Sequence, residues 1–414
     1  MKRTHIFLAC SMVIVMVLSA CQSVGKAAAD PTLAPTETPS PQPPPTLETT
    51  MNAHWFYQTG AAVWGSPSLN DGTVFIGSDD GNLYALDALT GNLEWKFASQ
   101  GIVRSKPAIE ASLVFFASDD GNLYALHAAN GEKAWSTNIG NFLNKTTREN
   151  LGGSPDPTGY DYVQSSPAVV DGTVYVGSLD GNLYALAADT GSLQWTFNTK
   201  GKIRGTPAVD QGTVFFGSWD KLMYALDALT GEVRWAIGVG GQVQSTPVVA
   251  NGLVYCASRK ASAFALDAAT GEVKWEHNYG GNMWVESSPR LVDGAIYIGS
   301  SGSKFVLGLD AFSGKPTAIY ISPDFHWSTP LVIRDTLYIG GTSYKPELTA
   351  GLFALKIVDG KFSSEGTDLQ IFSANNTLKY SGNWLGVAGS PATENDLIYF
   401  GALDGKVYAV NALP

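Results

Sequence analysis

The sequence has few of the residues that build covalent or metal-held frameworks. Only 3 cysteines and 5 histidines occur among 414 residues. Cys10 lies in a predicted export signal and Cys21 is the predicted lipidation site, so Cys256 has no partner for a disulfide and is expected to be a small core residue. The histidines are scattered, and none shows metal-ligand spacing. The chain is therefore expected to depend on its hydrophobic core for stability.

Basic residues are also scarce. The 26 Lys and Arg residues are outnumbered by 37 Asp and Glu residues, which gives a net charge of −11, and no basic run occurs. Nucleic-acid binding needs a positive surface, so no nucleic-acid partner is expected. The sequence also has no nucleophile elbow, phosphate-binding loop or HExxH helix. No catalytic residue and no metal site are therefore assigned.

The sequence is instead rich in copies of one repeat of about 40 residues. A proline preceded by a small polar residue or a lysine begins each copy. Most intervals between successive prolines are close to this length, and two are about half as long again, so two copies carry insertions. The eight prolines are Pro67, Pro107, Pro167, Pro207, Pro247, Pro289, Pro330 and Pro391.

Each repeat contains the signals of a four-stranded antiparallel sheet. In the third copy, Asp171-Gly172, Asp180-Gly181 and Asp189-Thr190-Gly191 separate four short apolar runs. An Asp-Gly pair between apolar runs is a strong hairpin signal, and four short strands in a repeat of this length are typical of a propeller blade. The predicted fold class is all-β, an eight-bladed β-propeller. The regular repeat argues against a long β-sandwich.

A tryptophan closes most units at a fixed offset from a turn glycine, which places it on the outer strand facing the next blade. These structural docking residues are Trp55, Trp95, Trp135, Trp195, Trp235 and Trp275. The sixth and seventh units have Ala318 and Ser364 at this position, and the fifth to seventh units lose the second Asp-Gly turn. We expect this sector to be the least regular.

The last repeat ends before its own tryptophan. Trp55 precedes Pro67 by the same offset that separates Trp95 from Pro107. We predict that Trp55–Gln58 supplies the outer strand of the last blade. This closure would leave no open sheet edge between the first and last blades.

The amino terminus has the pattern of an export signal. Lys2 and Arg3 precede an apolar run that ends in Leu18-Ser19-Ala20-Cys21. This ending resembles a bacterial lipobox, which implies cleavage after residues 1–20 and lipidation of Cys21; a signal without lipidation stays an alternative. Residues 21–50, rich in Pro and Thr, are predicted to be a disordered tether, and 51–414 to be the propeller. The expected location is the outer membrane of a Gram-negative cell, or otherwise the outer face of the cell membrane.

One face of the propeller is predicted to carry the sequence variation. The loops before each proline share this face with the second-hairpin turns, and most of the insertions 138–164 and 366–388 lie there. Three residues before each proline, one position per blade lies at the mouth of the central channel, with Trp284 and Trp384 nearby in sequence. This rim consists of Trp64, Arg104, Gln164, Arg204, Gln244, Glu286, Trp327 and Ala388.

Two interpretations of the rim stay open. It is either a solvated circle whose side chains satisfy one another, or a site for a polar ligand or peptide. A calcium site could be read from Asp79, Asp80, Asp119 and Asp120, but each pair adjoins a turn glycine in a separate hairpin, so turn chemistry is favoured.

The motif GSxDGxLYALDAxTGxxxW, as in Gly77–Trp95, resembles the pyrroloquinoline-quinone-type propeller repeat over residues 51–414. One branch, the quinoprotein alcohol dehydrogenases, implies a quinone and calcium. The adjacent cysteine pair of that branch is absent, and no calcium ligand can be matched, so no cofactor is expected from the repeat.

The other branch, the BamB-like lipoproteins of outer-membrane assembly, implies a monomeric, lipid-anchored, non-enzymatic scaffold for a membrane-embedded protein partner. The lipobox, tether, blade number and length all agree with this branch, which is our first interpretation. A quinone-dependent dehydrogenase is the enzymatic alternative. A sensor or polysaccharide binder, with Trp64, Trp327 and Trp384 stacking on sugars, is the third.

Overall fold

Turn chemistry sets the outline of each blade. In blade 1, Asp71 and Gly72 have φ values of 48° and 76°, which is the pair of positive angles that a two-residue hairpin turn requires. At the next turn on the same side, the Asp87 carboxylate accepts the Thr90 N–H and hydroxyl, both at 2.7 Å. Gly91 ends that turn with φ 73°. These turns begin and end strands of three to six residues.

The computed structural model describes residues 53–140, 165–280, 287–343, 350–363, 369–373 and 385–414, all within one compact unit, Pro45–Pro414. No helix of these residues is long and apolar enough to cross a bilayer. Several predictions fall outside the described residues: the signal peptide, the tether, Cys21, most of both insertions, and Gln164, Trp284, Glu286, Ser364 and Trp384.

The first half of the ring follows one strand order, inner to outer. After β1 (Trp55–Gln58), blade 1 has β2 (Ser68–Asn70), β3 (Thr73–Gly77), β4 (Asn82–Asp87) and β5 (Leu93–Ala98). Blade 2 has β6 (Ala108–Glu110), β7 (Leu113–Ala117), β8 (Asn122–His127) and β9 (Lys133–Asn138). Blade 3 has β10 (Ala168–Val170), β11 (Thr173–Gly177), β12 (Asn182–Ala187) and β13 (Leu193–Asn198). Blade 4 has β14 (Ala208–Asp210), β15 (Thr213–Gly217), β16 (Leu222–Asp227) and β17 (Val233–Gly238).

The second half repeats this order with one irregular blade. Blade 5 has β18 (Val248–Ala250), β19 (Leu253–Ser258), β20 (Ser262–Asp267) and β21 (Val273–Asn278). Blade 6 has β22 (Arg290–Val292), β23 (Ala295–Gly299), β24 (Phe305–Asp310) and β25 (Pro316–Ile321). Blade 7 contains β26 (Leu331–Ile333), β27 (Thr336–Gly340), β29 (Gly351–Val358), β30 (Lys361–Phe362) and β31 (Leu369–Ser373), with β28 (Thr342–Ser343) and β32 (Leu385–Gly386) as a separate pair. Blade 8 has β33 (Ala392–Glu394), β34 (Leu397–Gly401) and β35 (Lys406–Asn411).

The predicted closure is confirmed. Strand β1 pairs antiparallel with β35, with Trp55 opposite Ala409 and Gln58 opposite Lys406, and so completes a four-stranded blade 8. The eight-bladed all-β fold is therefore as expected. Eight apolar clusters fill the eight interfaces between neighbouring blades, including the interface between blades 8 and 1.

Each docking tryptophan spans a blade interface. The Trp95 indole N–H donates to the Ala128 carbonyl of the next blade at 2.9 Å, and its ring covers Gly131, where a Cβ would come within 2.5 Å of the ring. Gly131 also has φ 72°, so both space and backbone angle require glycine there. The same N–H to carbonyl bond, at 2.9–3.0 Å, is formed by Trp55, Trp135, Trp195, Trp235 and Trp275.

The irregular sector is narrower than expected. Blades 5 and 6 keep the regular four-stranded order, and the departure lies in blade 7. The predicted tryptophan position of blade 7, Ser364, lies outside the described residues, and blade 7 has the extra strand β30 before β31. Leu369 is the residue paired with Ala354, as Trp95 is paired with Ala85 in blade 1.

Candidate functional site

The innermost strands of the blades surround a central cavity of about 390 Å³. In five blades, the residue two before the proline is a serine whose hydroxyl ties the loop to its own blade. In blade 2, the Ser105 hydroxyl bonds both the N–H and the carbonyl of Ala117 at 2.9 Å. The other three blades have glycine at this position. Side chains three before, one before and one after the proline border the cavity.

The residue just before the proline forms a ring of hydroxyl groups around the channel. In five blades, the hydroxyl oxygen accepts the backbone N–H of the corresponding residue in the preceding blade. These bonds are Ser390 N to Ser66, Lys106 N to Ser166, Thr206 N to Thr246, Thr246 N to Ser288 and Thr329 N to Ser390, at 2.8–3.1 Å. Lys106 is the one lysine in this ring, where the other seven blades have serine or threonine.

The predicted rim does line the mouth of this cavity, but it is largely buried. The described members are Trp64, Arg104, Arg204, Gln244, Trp327 and Ala388, and all six border the cavity. Arg204 is 1% exposed, and Gln244 is 4% exposed. The described rim is therefore a packed collar around the cavity mouth.

The two described rim tryptophans stack on each other. The Trp64 and Trp327 rings stack with centroids 5.8 Å apart and planes 17° apart. Ala388 lies in the same small apolar cluster as both rings. Because Ala388 is the rim residue of blade 8, its small side chain leaves room for rings from blades 7 and 1 to meet. One face of each indole is thus covered by the other.

The rim arginine of blade 2 is held by an ion pair that the sequence reasoning missed. Arg104 donates from Nε and one terminal nitrogen to both Asp79 oxygens, at 2.6 and 2.5 Å, and its guanidinium lies 5.1 Å from the Trp64 ring centroid. Such a bidentate pair fixes the guanidinium plane. Asp80 and Asp120 accept N–H groups of their own turns, in agreement with turn chemistry.

A second aromatic cluster lies on the rim-side face at blades 4 and 5. Trp219 occupies the second-hairpin turn of blade 4, where blade 1 has Asp79. Three cations surround its ring: Arg204 at 4.3 Å, Arg259 at 5.0 Å and Lys202 at 5.4 Å from the ring centroid. We call these four residues the Trp219 cluster. Its signal in the sequence was a tryptophan in a turn position that holds aspartate in two other blades.

Two cations project into the cavity without a partner. Lys106 and Arg290 both border the cavity and are accessible to solvent from its lumen. Among the described residues, neither side chain forms an ion pair or hydrogen bond. Desolvation by the surrounding channel wall lowers the pKa of Lys106, and the nearby Arg290 charge lowers this pKa further. Both residues stand out in the sequence. Lys106 directly precedes its proline and Arg290 directly follows its own, and no other blade has a charged residue at either position.

The comparisons with known proteins agree with this architecture. A family model described as outer membrane protein assembly factor BamB matches residues 47–186, 142–236 and 179–412. The chain belongs to this BamB-like family. A comparison with curated proteins gives no match.

Several solved structures have a fold similar to that of the BamB-like chain. BamB from Moraxella catarrhalis is 16% identical, with a TM-score of 0.65 over 87% of this chain and 100% of that one. A europium-containing methanol dehydrogenase is 13% identical, with a TM-score of 0.63 over 87% and 88%. The designed Ika8 protein is 14% identical, with a TM-score of 0.64 over 86% and 97%. At these identities the likeness establishes the fold alone.

The donor set of the described residues that border the channel does not fit a quinone held with a metal ion. Hard cations such as calcium need several carboxylate or carbonyl oxygens. No carboxylate is among the described residues that border the cavity, and no three His, Cys, Asp or Glu side chains in the described ranges come together. The one described cysteine, Cys256, is buried in strand β19, and burial raises its pKa to about 12. No step through a quinone is derived.

A buried titratable pair lies where blade 6 connects to blade 7. His326 is fully buried and neutral, with Nδ1 2.9 Å from the Gly340 carbonyl and Nε2 2.7 Å from the Ser322 hydroxyl; burial lowers its pKa to about 4. Asp324 is buried, and its carboxylate accepts no hydrogen bond from a described atom. Burial raises the pKa of Asp324 to about 7, against a smaller opposite effect of Lys304.

These two pKa shifts give opposite pH dependences. Between about pH 4 and 7, the folded state keeps the Asp324 proton that the unfolded state loses, so this group makes the unfolding free energy fall as pH rises. His326 has the opposite effect, because it makes the unfolding free energy fall as pH decreases from its unfolded pKa of 6.5 towards 4.

We expect the Asp324→Asn variant to have the same melting temperature as the wild type at pH 4 and a higher melting temperature than the wild type at pH 8. A melting difference that is constant across this range, measured by thermal scans, would contradict the assignment.

Proposed function

We propose that this chain is a lipid-anchored, non-enzymatic scaffold, anchored through Cys21, that binds a protein partner through the rim-side face of the propeller. Membership of the BamB-like family supports this class of function. The poor fit of the cavity to a metal-held quinone weighs against the dehydrogenase. The mutual stacking of Trp64 and Trp327 weighs against a sugar platform made by these two rings.

The observation that carries the proposal is the Trp219 cluster. Tryptophan and arginine are the residue types most enriched among those that dominate binding energy at protein interfaces. The cluster brings three positive charges within 5.4 Å of one half-buried indole, on a chain whose net charge is −11. A positive patch on an acidic protein selects an acidic partner surface and repels a second copy of the same patch.

The geometry of the ring supports the choice of face. On the opposite face, backbone bonds join the two turns of each blade, as in Ala88 N to the Gly72 carbonyl at 2.7 Å, so that face repeats tight turns. On the rim-side face, the second-hairpin turn varies among blades 1 to 5, which have four residue types at one position: Asp79, Asp119, Leu179, Trp219 and Arg259. A rigid scaffold with varied residues on one face is the usual arrangement for binding.

The test is partner capture from detergent-solubilised membranes by the full lipidated chain. We expect Trp219→Ala and the double substitution Lys202→Ala/Arg259→Ala to reduce recovery of the captured proteins about tenfold or more, as for residues that dominate an interface. Arg104→Ala combined with Arg204→Ala should also reduce recovery. Arg234→Ala is the matched control, because Arg234 lies on the outer strand of blade 4 and pairs there with Asp227.

The variants differ in how much they disturb the fold, which keeps the test decisive. Arg104 and Arg204 are buried, whereas Lys202 and Arg259 are half-buried and are the safer substitutions. Each variant is compared with the wild type by thermal melting before capture. Full recovery by the well-folded Lys202→Ala/Arg259→Ala variant would refute this binding surface, and equal loss in Arg234→Ala would show that charge removal anywhere weakens capture.

A further inference from the structure

The wall of the central cavity carries two cations, Lys106 and Arg290, whose side chains pair with no described residue. Four cationic residues border it: Arg104, Lys106, Arg204 and Arg290. Arg104 is neutralised by Asp79 at the rim. Lys106 and Arg290 are not paired with any described side chain. They face the lumen from blades 2 and 6, which are opposite one another in a ring of eight.

The repeat does not require a charged residue at either of these two positions. Lys106 takes a place in the hydroxyl ring where seven blades have serine or threonine, and Arg290 begins an inner strand where other blades have small or apolar residues. Two like charges that share one lumen repel each other, and this repulsion disfavours the folded state unless an anion lies between them. The same cavity therefore favours a negatively charged occupant.

The hydroxyl ring adds hydrogen-bond donors to these charges. The hydroxyl oxygens of Ser66, Ser166, Thr246, Ser288 and Ser390 each accept a backbone N–H from the neighbouring blade. None of the five hydroxyls donates to a described atom, so each can turn its own O–H towards the lumen. Together with Lys106 and Arg290, these hydroxyls supply hydrogen-bond donors that can face an anion in the lumen.

A buried amide at the mouth gives an independent sign of a ligand. Gln244 borders the cavity and is 4% exposed, yet neither its amide nitrogen nor its oxygen has a hydrogen-bond partner in the described part of the chain. A buried polar group without a partner costs folding free energy, so such groups usually bind something that the protein itself does not supply.

We propose that the lumen between Lys106 and Arg290 is a binding site for a small oxyanion with two negative charges, of the phosphate or dicarboxylate class. The cavity of about 390 Å³ lies in the size range of small-molecule sites. Lys106 and Arg290 would each contact one negative group of the anion, and the lumen-facing hydroxyls would donate to the remaining oxygens. The site lies inside the ring and uses Lys106 and Arg290, which are not part of the rim-side surface proposed for the protein partner.

The experiment is titration calorimetry on the full chain with inorganic phosphate and with succinate, the two sources of this chemistry. Acetate and sodium chloride at matched ionic strength are the single-charge controls. We expect saturable binding of at least one dianion and no saturable binding of acetate. Succinate without phosphate would assign a dicarboxylate site, and phosphate without succinate a phosphate site. Failure of both dianions to bind at millimolar concentration would overturn the proposal.

Substitutions then locate the site. Lys106→Met and Arg290→Met are each expected to weaken dianion binding about 10- to 100-fold, as for loss of a charged hydrogen bond. Without ligand, both should melt at or above the wild-type temperature, because each removes one of two repelling charges. Lys133→Met is the matched control, since Lys133 is an exposed lysine on the outer strand of blade 2. Unchanged binding in both cavity variants, or equal weakening in Lys133→Met, would overturn the site.

Discussion

Deletion of residues 51–58 is expected to lower the melting temperature by roughly 10 °C or more. This segment contains β1, which supplies the outer strand of blade 8 through pairing with β35. It also carries Trp55, which is 8% exposed and donates to the Ala88 carbonyl of blade 1 at 2.9 Å. The deletion therefore removes one strand and one blade-to-blade anchor, and leaves β35 as an open edge.

The size of this effect follows from its parts. Loss of a buried tryptophan costs about 3–5 kcal/mol, and each lost backbone hydrogen bond adds about 0.5–1.5 kcal/mol. Phe56→Ala is the matched control within the same strand, because Phe56 is 57% exposed and its truncation should change stability by less than about 1 kcal/mol. Thermal melting of the full chain and the deletion variant provides the measurement. Equal melting temperatures would show that blade 8 does not need β1.

The second large effect is expected at a docking tryptophan. Trp235→Ala should lower the unfolding free energy by about 3–5 kcal/mol. The Trp235 indole N–H donates to the Ala268 carbonyl of blade 5 at 2.9 Å, and its ring lies over Gly271. The substitution opens a cavity at the interface between blades 4 and 5 and leaves that carbonyl without its donor.

The contact between the Trp235 ring and Gly271 can also be tested from the glycine side. Gly271→Ala is expected to destabilise as well, because Gly271 has φ 74° and a Cβ there would come within 2.8 Å of the Trp235 ring. Val233→Ala, on the same strand and 49% exposed, is the control for strand propensity and should cost less than about 1 kcal/mol. Chemical denaturation measures all three variants. A cost below about 1 kcal/mol for Trp235→Ala would contradict the docking role.

The features that recur among the repeats could be predicted from the sequence alone. Positions of strands, turns and docking tryptophans recur from one repeat to the next, so the copies give the same answer independently. The closure by Trp55–Gln58 could be predicted for the same reason, since the offset of Trp55 from Pro67 matches the other blades. The strands of blade 7 could not be predicted in this way, because its extra strand β30 interrupts the spacing of the repeat.

The site was only partly predictable, because its chemistry lies where the repeat is broken. The rim positions were found from their offset, yet the offset does not say that Trp64 and Trp327 stack over Ala388 or that Arg104 pairs with Asp79. Those contacts depend on which side chain the neighbouring blade happens to offer. Lys106 and Arg290 could be recognised in the sequence as departures from the repeat. That both face one lumen follows only from the closed ring, which places blades 2 and 6 opposite each other.

The central claim, that the rim-side face binds a protein partner, is tested most directly by photo-crosslinking in intact membranes. A photo-reactive residue replaces Lys200, which is exposed on the rim-side connection between blades 3 and 4, or Leu229, which is 82% exposed on the opposite face of blade 4. We predict a discrete crosslinked protein from position 200 that disappears in the Lys202→Ala/Arg259→Ala background, and none from position 229. The same adduct from position 229, with none from position 200, would contradict the account.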